Sequence, residues 1–158
     1  MGAKAVGALL LLGAALGWGI SRIVRERAQR ARAEGFFALL CYMRVQIDCF
    51  SMPVGDILAS ADAAMLAACG ADDAPPADFG ELLALGGREL PPAVHGVLSA
   101  FARELGTTYR AEQLRLLDRH IKALEGLCEG ARADAPRREK LLLLLPPALV
   151  GILILLLL

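Results

Sequence analysis

Residues 114–131 read LRLLDRHIKALEGLCEGA, and the apolar pattern of this stretch decides the fold class. Its apolar positions recur at spacings of 3, 4, 3, 4 and 3 residues: Leu114, Leu117, Ile121, Leu124, Cys128 and Ala131. This is the repeat of a helix that packs against other helices. A second stripe of the same kind lies upstream: Phe36, Leu40, Met43, Ile47 and Phe50. Together the two stripes predict a pair of long antiparallel helices whose apolar faces meet.

Shorter helices are predicted between the two long ones. The first begins after Pro53 and stops at Gly70, because proline suits a first helical position and glycine a helix end. The next begins at a capping box made by Asp78 and Glu81. A third lies within residues 91–106. Since no Val/Ile/Thr-rich run alternates with period two, we expect an all-α, membrane-anchored antiparallel helical bundle.

The apolar residues, 56% of the chain, are concentrated at its two ends. Residues 5–21 carry no charge, and residues 141–158 have no polar side chain. Because 18 helical residues span about 27 Å, both runs approach the hydrocarbon thickness of a bilayer. We therefore expect transmembrane anchors at 1–21 and 141–158, the second bent or interrupted at Pro146-Pro147. The alternatives are a cleaved signal peptide for the first run and a buried core helix for the second.

Basic residues flank both apolar runs on their inner sides. We call them the basic collar: Arg22, Arg25, Arg27, Arg30, Arg32, Arg132, Arg137, Arg138 and Lys140. Positive charge beside a membrane span holds that side of the span in the cytoplasm. The collar therefore favours an anchor over a signal peptide and predicts that residues 22–140 form a cytoplasmic helical domain. The expected location is the membrane, with two spans and the lipid bilayer as one partner.

The net charge of zero, from 17 basic and 17 acidic residues, hides an uneven distribution. Residues 35–131 hold thirteen acidic and seven basic side chains, whereas both collar segments are net positive. The acidic body and an aromatic content of 5% argue against a nucleic-acid partner. A basic protein partner is expected at four acidic residues of one loop and helix start: Asp72, Asp73, Asp78 and Glu81. Ordinary solvation of this loop is the alternative.

The sequence lacks the patterns that catalysis and metal binding need. The four cysteines have no C-x-x-C spacing and the chain has two histidines, which excludes the common zinc and redox motifs. His95 and His120 are interpreted as surface or interface residues. No nucleophile elbow, phosphate-binding loop or dinucleotide motif occurs. We expect no enzymatic activity, no catalytic residue, no cofactor and no metal.

Local matches spread along the chain point to one known family. In that family the matched positions form an E-I-x5-P-L stretch and an F-x3-LG-x6-Q element. Single L, A, K and G residues of the family's closing helix and final span are matched as well. The matching residues are Ile47, Pro53-Val54, Phe101, Leu105-Gly106, Gln113, Leu124, Ala131, Lys140 and Gly151. In their order and spacing the chain resembles the stage III sporulation protein AB family of endospore-forming bacteria.

This resemblance implies a membrane component of the assembly that links the mother cell to the forespore. The cytoplasmic domain of that family is similar to the platform domains of type II secretion and type IV pilus machines. By this resemblance the chain is a non-enzymatic scaffold in the mother cell. It would bind other channel proteins and couple a cytoplasmic ATPase, stage III sporulation protein AA, to the membrane assembly. The alternative is a two-span protein whose helices oligomerise as part of a transport pore.

Overall fold

The computed structural model describes residues 2–72, 75–106 and 109–157, and these residues are helical without a β-strand. The all-α prediction is confirmed. The elements are α1 (Gly2–Phe50), α2 (Val54–Ser60), α3 (Ala63–Cys69), α4 (Phe79–Gly86), a 3₁₀ helix (Gly87–Glu89), α5 (Pro92–Glu104) and α6 (Arg110–Leu157).

The chain divides into two compact units. Unit 1 consists of Met1–Ala28 with Arg132–Leu158, and unit 2 consists of Gln29–Ala131. Each of the long helices α1 and α6 therefore contributes one segment to each unit. The three segments expected from the sequence, 1–21, 22–140 and 141–158, stay predictions.

The core of unit 2 forms where the predicted stripes of α1 and α6 lie. Phe36, Leu40 and Met43 of α1 and Leu117 and Leu124 of α6 are fully buried. Other large, fully buried side chains come from α1, α2, α4 and α5: Leu39, Ile57, Leu58, Phe79, Leu82, Leu98 and Phe101. Burial of this apolar surface stabilises helices that would be marginal as isolated segments.

Polar contacts define how α1 and α6 run within unit 2. The Arg44 Nε donates to Asp118 Oδ1 at 2.5 Å. At a later position of α1, the Ile47 carbonyl accepts a hydrogen bond from Arg110 Nε of α6 at 3.1 Å. The Asp48 carbonyl accepts one from Arg110 Nη2. From the first contact to the next, the residue number increases on α1 and decreases on α6. The two helices are therefore antiparallel in this unit, as their stripes predicted.

The predicted stripes differ from the observed core at their ends. Phe50 was expected to be buried and is 68% exposed. The reason is that α6 begins at Arg110, beside Ile47 and Asp48, and does not extend to the last residue of α1. At the other end, Ala131 is exposed, whereas Ile47 and Cys128 are buried and Leu114 and Ile121 are partly buried.

His120 was expected on the surface, and it lies in the core with 7% of its surface exposed. The ring of Phe101 packs against it, with ring centroids 5.5 Å apart. Its Nδ1 lies 2.9 Å from the Leu116 carbonyl oxygen. Because a carbonyl only accepts, Nδ1 is the donor. The hydrogen bond satisfies a polar atom that burial removes from water.

The helix predicted from Pro53 to Gly70 is two helices, α2 and α3, separated at Ala61 and Asp62. Asp62 causes the break, because its carboxylate accepts a hydrogen bond from the Ala64 N–H at 3.2 Å and caps a new helix. At the end of the chain, α6 passes through Pro136, Pro146 and Pro147 as one helix. Of the two expectations at Pro146-Pro147, the interruption is therefore wrong, and the bend stays a prediction.

Two contacts join the helix segments of unit 1. Arg27 donates from Nε and Nη2 to the two carboxylate oxygens of Glu139, at 3.0 and 2.8 Å. A Cβ at Gly19 would lie 2.6 Å from the Leu142 carbonyl oxygen, so glycine permits an approach that alanine would block. Pro146 has no N–H to bond this carbonyl within α6.

Within the part of the chain that the structure describes, no helix is both long enough and apolar enough to cross a membrane. The side chains of residues 1–6, 8, 9, 12 and 153–158 lie outside that part. Both expected anchors, 1–21 and 141–158, include some of these residues, and the anchors stay a prediction.

Candidate functional site

Two of the four acidic residues predicted to bind a partner, Asp78 and Glu81, lie at the start of α4. Asp78 precedes the helix, and its Oδ1 accepts a hydrogen bond from the Glu81 N–H at 2.7 Å. The Glu81 Oε2 accepts one from the Ala77 N–H at 2.6 Å. This reciprocal pair is the predicted capping box, shifted by one residue on the Glu81 side. Both carboxylates stay exposed, so they cap the helix and face solvent as well.

The loop that leads to α4 carries the remaining acidic residues. Asp72 is exposed, whereas Asp73 lies outside the described residues. The loop is fixed to unit 2 at its start, where the Ala71 N–H donates to the Leu66 carbonyl at 3.0 Å. Before it, Gly70 ends α3 with φ 99°, a left-handed conformation that favours glycine. We call the exposed set Asp72, Asp78 and Glu81 the acidic edge.

Three other acidic residues of unit 2 that precede α6 are paired with arginines. Asp48 pairs with Arg44 at 3.7 Å, and Glu89 pairs with Arg32 at 3.3 Å. Glu104 pairs with Arg119 at 2.8 Å. In the described part of the chain, the acidic edge makes no ion pair. Its negative charge is therefore left to solvent or to a partner.

Close glycine packing holds the acidic edge against α1 and α3. A Cβ at Gly86, the last residue of α4, would lie 1.7 Å from the Cys69 carbonyl oxygen and 3.3 Å from a ring carbon of Phe36. A Cβ at Gly35 of α1 would lie 2.7 Å from the Ala68 carbonyl oxygen. These contacts bring three helix backbones together. Sequence reasoning missed them, although a glycine at 35 inside a helix is a signal of close approach, since it costs about 1 kcal/mol relative to alanine.

Burial raises the pKa of two of the four cysteines, Cys41 and Cys69. Burial raises the pKa of the Cys69 thiol to about 12, against a smaller lowering effect of the Arg32 charge. Burial, and next the charge of Glu125, also raise the pKa of Cys41. A thiol that stays protonated at neutral pH is a poor nucleophile. Cys128 is buried, and Cys49 is exposed on α1.

The structure divides the basic collar between the two units. Arg30 and Arg32 belong to unit 2, and the other seven residues belong to unit 1. In unit 1, Arg27 is held by Glu139, and Arg138 lies 3.4 Å from Asp134 one turn earlier. The other five collar residues of unit 1 are exposed: Arg22, Arg25, Arg132, Arg137 and Lys140. Part of the collar charge is thus cancelled internally and part is presented outward.

A small cavity of about 100 Å³ lies between α1, the start of α5 and α6 in unit 2. Its lining is mostly apolar, with Arg30 and Glu34 at its polar side and Cys128 among its walls. Among the described residues, no group of three or more His, Cys, Asp or Glu side chains is placed to hold a metal ion. The cavity therefore offers packing space and no cluster of chemical groups.

No family model, curated protein or solved structure matches this chain. The candidate sites consequently rest on the geometry of the chain's own residues. These are the acidic edge of unit 2 and the outward-facing collar cations of unit 1.

Proposed function

We propose that the chain is a non-enzymatic membrane scaffold, anchored by the predicted spans 1–21 and 141–158. The observation that carries the proposal is the exposure of large apolar side chains, at 43 to 70%, along both helix segments of unit 1. They are Leu10, Leu11, Leu16, Trp18, Ile20, Val24, Leu141, Leu143, Leu144, Leu145, Leu149 and Ile152. An exposed apolar surface of this extent marks a membrane or protein contact, and lipid is a medium that covers it without a desolvation cost.

Unit 2 supports the second half of the proposal, a folded body in the cytoplasm. Its helices enclose an apolar core, and its exposed acidic edge makes no ion pair among the described residues. The resemblance to the stage III sporulation protein AB family assigns such a body to the channel between mother cell and forespore. The acidic edge would bind a basic surface of a cytoplasmic ATPase, and the anchors would connect that ATPase to the membrane assembly.

The orientation is tested with a native thiol. In intact cells, a membrane-impermeant maleimide is expected to leave Cys49 unmodified, and to modify it once the cells are opened. Cys49 is exposed, whereas Cys69 is buried and its pKa is about 12, so the signal reports Cys49. The variant Cys49→Ser should abolish most of the labelling. Labelling in intact cells would reverse the orientation, and release of the chain by alkaline carbonate would contradict the anchors.

The partner is tested by charge reversal on the loop of the acidic edge. Asp72→Lys with Asp73→Lys is expected to lower recovery of the ATPase with the full chain at least about tenfold, because opposite charges steer and hold the complex. Asp78 and Glu81 are left intact, since they cap α4 and their reversal would also unfold the helix start.

The matched control reverses two exposed acids of α6, Glu125→Lys with Glu129→Lys, which changes the net charge equally. This control should retain the ATPase. Equal recovery with the wild-type chain and the Asp72/Asp73 variant would exclude this loop as the binding surface. Co-purification should also weaken as salt is raised, because screening shortens the range of exposed charges.

A further inference from the structure

The exposed face of unit 1 changes from apolar to cationic within one turn on each helix. On α1, Trp18, Arg22 and Arg25 follow one another at spacings of four and three residues, which places them on one helix face. On α6, Leu144, Lys140 and Arg137 do the same in the reverse direction. Trp18 is 57% exposed and Leu144 is 69% exposed. Each face therefore presents an apolar residue followed by two cations.

The antiparallel pairing in unit 1 brings these cations to matching levels. Gly19 touches the Leu142 carbonyl, which sets the register of the two segments. At 1.5 Å per residue, Arg22 lies about 4.5 Å beyond this contact along α1, and Lys140 lies about 3 Å beyond it along α6. Arg25 and Arg137 lie about 9 and about 7.5 Å beyond it. On each helix, two cations thus lie at matching levels next to the apolar segment.

These four cations differ from two neighbouring collar residues, which are held in ion pairs. Arg27 and Arg138 are held by Glu139 and Asp134. In the described part of the chain, Arg22, Arg25, Arg137 and Lys140 make no hydrogen bond or ion pair with an acidic residue. The Arg22 guanidinium instead lies 5.9 Å from the centre of the Trp18 ring. Its positive charge faces the ring and remains available to an external anion.

We propose that these two helix faces, Trp18, Arg22 and Arg25 on α1 and Lys140 and Arg137 on α6, bind the head groups of anionic phospholipids. The inference rests on the membrane anchors of the proposed function and adds a ligand to them. A phospholipid matches both parts of each face: its phosphate pairs with the cations, and its acyl chains cover the apolar residues beside them. Tryptophan is suited to the boundary, because its ring is apolar and its N–H can meet a polar group.

The test uses Trp18, which is the single tryptophan of the chain. The full chain is reconstituted into bilayers that mix phosphatidylglycerol with phosphatidylcholine, with brominated acyl chains on one lipid or on the other. Bromine quenches the fluorescence of an adjacent tryptophan. We expect phosphatidylglycerol to be enriched beside Trp18 over phosphatidylcholine by at least about fivefold. This is the enrichment that one basic residue near an anionic surface contributes.

Two variants with equal charge changes show whether the lipid preference comes from these residues or from the overall charge of the chain. Replacing Arg22, Arg25, Arg137 and Lys140 by Gln should lower the preference to about one. The control removes four exposed cations of unit 2 through Arg88→Gln, Arg103→Gln, Arg115→Gln and Lys122→Gln, and it should retain the preference. With the wild-type chain, 1 M salt should also abolish the preference, because the screening length falls to about 3 Å.

The outcomes distinguish this site from the anchors. Equal quenching by both brominated lipids, or an equal loss in the control variant, overturns the lipid site and leaves the anchors standing. Absence of quenching by either lipid overturns the anchors, and the site with them.

Discussion

Gly86→Ala is expected to destabilise unit 2 by at least about 3 kcal/mol, the upper end of what overpacking costs. The new methyl group would lie 1.7 Å from the Cys69 carbonyl oxygen, and the fully buried ring of Phe36 lies on the same side at 3.3 Å. Neither neighbour is a flexible side-chain end, so α3 and α4 must separate. Thermal unfolding of the full chain in detergent, followed by circular dichroism, should show a midpoint lower by about 12 °C or more.

Gly96→Ala in α5 is the matched control, because a Cβ there meets no atom within 4 Å. Alanine favours a helix interior over glycine, so this variant should be more stable than the wild-type chain by up to about 1 kcal/mol. If Gly86→Ala and Gly96→Ala shifted the midpoint in the same direction, the contact between Gly86 and Cys69 would be wrong.

Phe101→Ala is expected to cost about 3–5 kcal/mol, the usual range for a buried phenylalanine. Phe101 has no exposed surface and stands between two other rings. The Phe79 ring lies 4.9 Å away at 86°, an edge-to-face pair, and the His120 ring lies 5.5 Å away. Loss of the central ring removes both contacts and opens a cavity that joins α4, α5 and α6. Chemical unfolding of the full chain in detergent measures the loss.

Phe50→Ala removes the same side chain from a position that is 68% exposed, and it should change the stability by no more than about 0.5 kcal/mol. Phe101→Leu should recover much of the stability lost in Phe101→Ala, since leucine fills most of the space. A loss of similar size for Phe50→Ala and Phe101→Ala would contradict the packing of the aromatic rings in unit 2.

The elements that sequence reasoning located correctly are those that depend on neighbours along the chain. The apolar positions Phe36, Leu40 and Met43 recur with the helical period and are buried. Asp78 and Glu81 form the predicted capping hydrogen bonds, which involve residues within four positions of each other. The break at Asp62 was missed because an aspartate that can cap a helix also fits the interior of one in the apolar pattern.

The candidate sites were predicted less completely than the helices. The sequence located the acidic loop and the collar, but it treated all nine collar residues alike. Whether a cation is neutralised depends on a partner far away in the chain, as for Arg27 with Glu139. The same holds for Glu89 and Glu104, which looked like part of the acidic surface and are paired with Arg32 and Arg119. Charge counting along the chain does not reveal such pairs.

The helical class, the starts of α2, α4 and α5 and most of the apolar stripes follow from the sequence alone, because hydrogen bonding and periodicity within one helix are local properties. Only the tertiary structure decided that His120 is buried, that Phe50 is exposed and that Gly86 touches Cys69. These outcomes depend on which helix covers which surface and on where the covering helix begins. The physical reason is that burial and close approach are set by pairs of elements, and the residue pattern of one element does not contain the position of the other.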